Sequence, residues 1–415
     1  MRLAPPVRSM PLSSLARIAV SAVAITLVAS CSSSGGGSPS ATGNGATATT
    51  APPGATSGGP VPAGFVATSV TFVSANQGFV LGASPCPGST TDTTGPAAPC
   101  ASLAATDDGG RTWVHRPAPP VTLSSVDQSG DADGQGGGPD GVSRIRFGDA
   151  QNGWAFGPVL WATHDGGDTW NQIGLGGAVT DLASAAGVTY ALVAHCDAGP
   201  CGQGSTLYRT DAGTDDWQSV EGVTLTSTGG TISLHDQAAW IVGESDGPGQ
   251  NLLSASADGS TWTTRPDLCG AEASLIGVAP VTTVDLFVLC ADSPGAGSES
   301  KRVLRSSDGG LSAQAVPTMP SPSGITYAIA AADAEVVVVS ATSGASWIYR
   351  TGDAGATWAT ALTADDDRLG LSELGFTTAD QGVVIRGRLD DVDASGTELL
   401  MTHDAGRTWA PVTFG

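Results

Sequence analysis

One short motif recurs seven times along this chain, and its spacing constrains the fold more than any other feature. Thr106–Trp113 reads TDDGGRTW, Thr163–Trp170 THDGGDTW, Ser256–Trp262 SADGSTW, Thr351–Trp358 TGDAGATW and Thr402–Trp409 THDAGRTW. Two copies depart from the pattern: Thr210–Trp217 has Ala212 in place of the Asp, and Ser306–Ala313 ends in Ala in place of the Trp. The copies start at 106, 163, 210, 256, 306, 351 and 402, so the steps are 57, 47, 46, 50, 45 and 51 residues. A period near 50 in a strand-rich chain is the signature of a β-propeller.

The motif has a physical logic. A carboxylate at the head of a tight turn accepts hydrogen bonds from the turn's own N–H groups, a role open to Asp108, Asp165, Asp258, Asp308, Asp353 and Asp404. The glycine after it adopts positive φ without steric cost, so the chain can reverse between two strands. Trp113, Trp170, Trp217, Trp262, Trp358 and Trp409 are then expected to start the returning strand and fill the space under the hairpin. The motif resembles the Asp box, or BNR repeat, of sialidase-like propellers, which implies a structural staple rather than a catalytic site.

The same four-strand unit surrounds each box. In the first unit the strands are Ala67–Val73, Gly78–Ala83, Ala101–Thr106 and Thr112–Arg116; in the second they are Val142–Phe147, Gly153–Gly157, Val159–Thr163 and Thr169–Ile173; in the last, Leu371–Phe376, Gly382–Arg386, Glu398–Thr402 and Thr408–Phe414. Short runs of Val, Ile, Leu and Thr between Gly, Asp and Ser turns are strand signals, and no segment after Phe65 carries helical periodicity with caps. The expected fold is all-β: a single seven-bladed β-propeller over residues 64–415, with four antiparallel strands per blade. Each blade is continuous in sequence; the alternative is that Val61–Ala67 adds a strand at the seam. Fifty-eight glycines and one lysine, Lys301, suit such a turn-dense chain.

The N-terminus carries a second signal. Arg2, Arg8 and Arg17 precede the apolar run Ile18–Ala29, which is too short to cross a bilayer as a helix and reads as a signal peptide over residues 1–30. The closing Val28-Ala29-Ser30-Cys31 resembles a bacterial lipobox, implying diacylglycerol on Cys31 and cleavage before it. Residues 31–63 then form a tether: Ser32–Pro62 has no charged residue and is nearly all Ser, Gly, Ala, Thr and Pro, a composition that cannot bury enough surface to fold. A flexible chain of this length has a mean reach of roughly 30 Å. The expectation is a lipid-anchored domain on the extracytoplasmic side of a cell membrane.

Cysteine usage fits export. Six cysteines remain after Cys31, which allow 15 pairings. The blade reading selects one. Cys86 and Cys100 flank the loop after the second strand of blade 1, and Cys196 and Cys201 do so in blade 3. Cys269 is expected to open the first strand of blade 5 beside Cys290, at the end of the second. All three bridges lie on the face opposite the boxes.

Charge and motif content narrow the function. Loss of the three signal-peptide arginines takes the formal charge from −22 to −25. No basic cluster is present to track a phosphate backbone, so nucleic acid is not an expected partner. Gly243–Gly247 (GESDG) matches a nucleophile elbow in letters only, because that motif works on the strand-turn-helix of another fold. His115, His164, His195, His235 and His403 lack zinc-ligand spacing. Asp127–Gly141 has alternate carboxylates, as calcium loops do, but not the glycine at position six or the glutamate at position twelve. It reads as an acidic loop. Neither cofactor nor metal is expected.

Sialidases carry a Phe/Tyr-Arg-Ile-Pro segment, an arginine triad and a Tyr/Glu pair. Here Arg144-Ile145-Arg146-Phe147 is the nearest echo and lacks the Pro. Trp154, Trp161, Trp240 and Trp347 fall within strands, where packing is their simpler role. The spacing before the boxes resembles another group more closely: Phe72-VSANQ-Gly78, Phe147-GDAQN-Gly153 and Phe376-TTADQ-Gly382 look like blades of photosystem II assembly-factor propellers. That resemblance implies a non-catalytic binding or assembly scaffold, here as a monomer. A glycan-active hydrolase of the sialidase-like superfamily is the alternative. A protein or glycan partner is expected on the face opposite the boxes, where Pro85–Pro99, Pro119–Gly141, Ala291–Ser300 and Leu389–Gly396 supply the irregular loops on a rigid frame.

Overall fold

The computed structural model describes residues 58–86, 100–124, 141–195, 204–223, 225–244, 249–364, 370–387 and 397–415. Cys31 and the rest of the segment before residue 58, Cys196, Cys201 and residues 127–140 of the acidic stretch lie outside these residues. The described residues carry twenty-eight strands in seven antiparallel sheets of four, and within each sheet every strand bonds to the next in sequence. Blade 1 consists of Val66–Phe72, Gly78–Ser84, Cys100–Thr106 and Val114–Arg116. The first strand of each blade lies against the first strand of the next, from blade 1 to blade 7, and blade 7 packs back on blade 1. The result is a closed seven-bladed propeller.

The core is divided among the blade interfaces. Seven apolar clusters each join two neighbouring blades. Strand alternation explains this, because successive side chains point to opposite faces: Val80 enters the cluster shared with blade 7, while Phe79 and Leu81 enter the one shared with blade 2. Second strands are buried on both faces, so they read as apolar runs such as GFVLGAS and GWAF.

The ring closes without strand exchange. Blade 7 is formed entirely by Leu371–Phe376, Gly382–Arg386, Glu398–Thr402 and Ala410–Pro411. Residues 61–65 add no strand at the seam. Instead Gly58–Pro60 pairs with the outer strand of blade 1: Gly58 N donates to His115 O at 2.9 Å, and His115 N donates to Gly59 O at 2.8 Å. Val61 and Phe65 pack into the closing interface. The five interfaces from blade 1 to blade 6 are each filled partly by the crossover between two blades. Between blades 7 and 1, residues that flank the first and last strands take that place, with Phe414 4.8 Å from the Phe65 ring and 5.2 Å from Trp113.

The fourth strands start later than their sequence pattern implies, at Val114, Asn171 and Ala410. The box Thr explains the shift. Thr169 N and Oγ1 both donate to Asp165, at 2.8 and 2.6 Å, so the turn continues through Trp170.

Candidate functional site

Antiparallel blades have two chemically different ends. Turns from first to second and from third to fourth strand lie at one end, with the boxes. Connections from second to third strand, and crossovers between blades, lie at the other.

The box end is uniform. In Thr163–Trp170, Asp165 accepts Thr163 Oγ1 at 2.8 Å, and Thr163 Oγ1 accepts Gly167 N at 2.9 Å. Asp108, Asp308, Asp353 and Asp404 repeat this ring of bonds. Asp258 takes the amides of Ser260 and Thr261. The hydroxyl and amide of Thr112 hold the Asp108 carboxyl at about 2 instead of 3.8, and Ser312 does the same for Asp308. The indoles work between blades as well as under their own hairpins: Trp170 Nε1 donates to Pro117 O of blade 1 at 3.0 Å, and Trp358 Nε1 to Thr318 O of blade 5 at 3.1 Å. Trp113, Trp170 and Trp262 are buried, whereas Trp217, Trp358 and Trp409 are half-buried. His164 also bridges blades, with Nδ1 2.8 Å from Asn152 Oδ1 and Nε2 3.3 Å from Asp215.

The connection end is held by individual devices. Cys86–Cys100 and Cys269–Cys290 are disulfides. Cys269 precedes the first strand of blade 5, which starts at Ala273, so this bridge ties a crossover to a strand. Its Asp267 explains the early turn, accepting the amides of Cys269 and Gly270 at 3.0 Å each. Arg302 Nη2 donates to Cys269 O at 2.8 Å. Of the four irregular loops, only Ala291–Ser300 lies wholly within the described residues.

The inner strands bring together charges that the repeat pattern does not reveal. Arg146 of blade 2 grips Glu373 of blade 7 with two bonds, Nη1–Oε2 at 2.6 Å and Nη2–Oε1 at 3.3 Å. Ser69 of blade 1 lies between them, donating to Glu373 at 3.1 Å and accepting Ile145 N at 3.0 Å. Arg144 pairs with Asp181 of blade 3 at 3.3 Å, and Asp181 accepts Ile232 N of blade 4 at 2.7 Å. One belt thus joins blades 7, 1, 2, 3 and 4. Glu373 sits in a β-bulge at φ +57°, a conformation that costs a non-glycine residue free energy and persists only where its surroundings fix it. Burial alone would raise its pKa, but the Arg146 guanidinium outweighs that and the carboxyl is held below its usual value. For Asp181, burial prevails over Arg144 and the pKa is raised.

In the sequence, Arg144 and Arg146 stand out only as an echo of a sialidase segment. Glu373 and Asp181 carry one signal there, a lone acid in each inner strand. Both arginines are engaged by protein carboxylates. Trp154 and Trp240 are fully buried, in keeping with packing. Among the described residues, no three His, Cys, Asp or Glu side chains are grouped to hold a metal.

No protein-family model matches this sequence, and no curated protein matches it. Solved structures do. The chain is similar to YCF48 bound to a D1 peptide, with a TM-score of 0.51 and 18% identity, covering 83% of this chain and 95% of that one. YCF48 from Cyanidioschyzon merolae gives 0.52 at 14% identity, covering 84% and 99%. At such identities the likeness establishes the propeller fold alone. A GH74 enzyme of Niastella koreensis also matches, at 12% identity over 83% of this chain and 71% of that one, but its TM-score of 0.29 carries no argument.

Proposed function

We propose that this chain is a non-catalytic binding scaffold that is exported, held by lipid on Cys31 at the outer side of a bacterial cytoplasmic membrane, and takes a protein partner at its connection end. One observation carries the reading: that end departs from the repeat and is nevertheless fixed, by Cys86–Cys100, Cys269–Cys290 and the Arg302 contact. A frame that holds irregular connections rigid reduces the entropy lost on binding. The peptide held by YCF48 supports a protein as the partner class.

The test is crosslinking in intact cells with a carboxylate-directed reagent, since the sole lysine, Lys301, is 1% exposed and offers amine-directed reagents no target. Replacing the part of Pro119–Gly141 between Ser124 and Gly141, and Leu389–Gly396, by two-residue turns keeps Val121 and Leu123 in the blade 1–2 interface and abolishes capture while the fold is retained. Capture that survives both changes, and is lost on altering His164 and His403, moves the site to the box end. Cys31→Ala releases the protein from the membrane fraction; retention with an intact acyl mass shift refutes the anchor.

A further inference from the structure

The chain's single lysine has the surroundings of a bound cation, not of a surface ammonium. Lys301 opens the third strand of blade 5 and is 1% exposed. Its Nζ lies 2.7 Å from Gly324 O, 3.0 Å from Ser323 O, and 3.1 Å from both Glu299 O and Pro322 O. An ammonium has three N–H donors, so four carbonyl oxygens converge on one centre of charge. The Tyr349 ring stands 5.8 Å from Nζ, and its hydroxyl donates to Ser323 O at 2.9 Å.

The backbone is shaped for this. Gly324 is at φ +80°, and a Cβ there would lie 2.9 Å from the Ala341 Cβ and the Trp347 ring, so only glycine turns that carbonyl inward. Ala296 and Gly297 both have positive φ and form the tight turn of the hairpin between Asp292 and Ser300. Gly324 N donates to Gly297 O at 3.1 Å, and Glu299 N to Pro322 O at 2.9 Å. The Glu299 carboxylate accepts Thr326 N at 2.7 Å and supplies the nearby negative charge. The hairpin of blade 5 and the crossover into blade 6 therefore enclose the ammonium from two sides.

The geometry points to a main-chain cation site at the blade 5–6 junction, with Lys301 as its resident cation. When that side chain is shortened, the site takes a monovalent cation of the size of ammonium or potassium, for which convergent carbonyls are suitable ligands. The site fixes the Asp292–Ser300 hairpin at the connection end whether or not a partner binds there.

Two measurements test this. In the full chain labelled with ¹⁵N-lysine, the one lysine gives a single Nζ signal, expected as a slowly exchanging ammonium at neutral pH. Proton exchange as fast as that of free lysine overturns the site, and this measurement does not depend on a variant that folds. In Lys301→Ala, amide exchange at Glu299, Gly324 and Thr326 is expected to rise about tenfold in tetramethylammonium chloride. The same concentration of ammonium or potassium chloride restores protection, and blade 2 amides do not respond. An unchanged exchange rate, or a rise that neither cation reverses, overturns the proposal.

Discussion

The two ends of this propeller are organised by opposite means. At the box end, each turn makes most of its bonds within one short segment, and the same bonds recur from blade to blade. Contacts between blades there follow the repeat as well: Tyr190 donates to Gly259 O, Trp240 to Gly309 O and Arg350 to Ala405 O. At the connection end no such device recurs among the described residues. A disulfide holds one place, another disulfide and Arg302 a second, and a caged lysine a third. An end encoded by repetition can lose one copy, as blade 3 shows: without the box Asp, Thr210 Oγ1 bonds Thr214 instead, and Trp217 still meets Trp154 at 6.5 Å. An end encoded by single devices has no such reserve.

The largest effect should come from the contacts that join boxes to their neighbours. Trp240 is 1% exposed, and its Nε1 donates to Gly309 O of blade 5 at 3.2 Å. Trp240→Ala leaves a cavity at that interface and is expected to cost about 3–5 kcal/mol in denaturant unfolding. A loss below 1 kcal/mol would mean that the box end is held by local turns alone. The connection end is tested next by Cys269→Ala with Cys290→Ala. The bridge spans 21 residues, and loop-closure entropy for that length gives about 3 kcal/mol. If reduction leaves the melting temperature unchanged, this end does not depend on its covalent tie.

The inner belt lies between the two ends and should respond less. Glu373→Gln keeps the shape and removes one charge of a pair whose side chains are 6% and 25% exposed. Breaking a well-buried pair costs about 3–5 kcal/mol; the partial exposure of Arg146 lowers the expected loss to about 2 kcal/mol. The pH dependence carries a sign. Because the folded-state pKa of Glu373 is depressed, its contribution is complete above the unfolded value near 4.3 and is lost as the pH falls through the folded value. Asp181, with a raised pKa, acts in the opposite direction, and its contribution is lost as the pH rises through the folded value. Thermal melts from pH 6 down to pH 3 should fall less steeply in Glu373→Gln than in the parent chain. Equal slopes would remove Glu373 from the acid response.

The contrast between the ends also explains what was legible in the sequence. The boxes depend on neighbours within about eight residues, so TDDGGRTW at Thr106–Trp113 announces both the turn and the blade, and the spacing of seven copies announces the ring. Cys86–Cys100 and Cys269–Cys290 were legible because strand order puts their ends side by side. The inner belt was not, since Arg146 and Glu373 are 227 positions apart and meet only through closure of the ring. Lys301 stood out by its rarity alone: nothing local to it indicates that Pro322, Ser323 and Gly324 will turn their carbonyls toward it.

The smallest expected effect returns to the repeat itself. The residue after the box Asp adopts positive φ in every copy that keeps the Asp: Gly109, Gly166, Gly259 and Gly309 lie between +69° and +75°, while Ala354 and Ala405 lie at +53° and +59°. Its amide is fixed the same way in five of these six, as where Gly166 N donates to Gln151 O and Ala354 N to Glu335 O at 2.9 Å. Alanine in blades 6 and 7 shows that a methyl fits the position, so the penalty there is one of backbone conformation. Gly166→Ala is therefore expected to cost only about 1 kcal/mol, although its Cβ comes within 3.0 Å of Ala150 O. Gly167→Ala, whose Cβ would lie 2.7 Å from a buried Leu103 methyl, should cost more. Equal losses at the two positions would show that the box turns differ in packing from blade to blade, and the uniformity of the box end would then be one of sequence more than of structure.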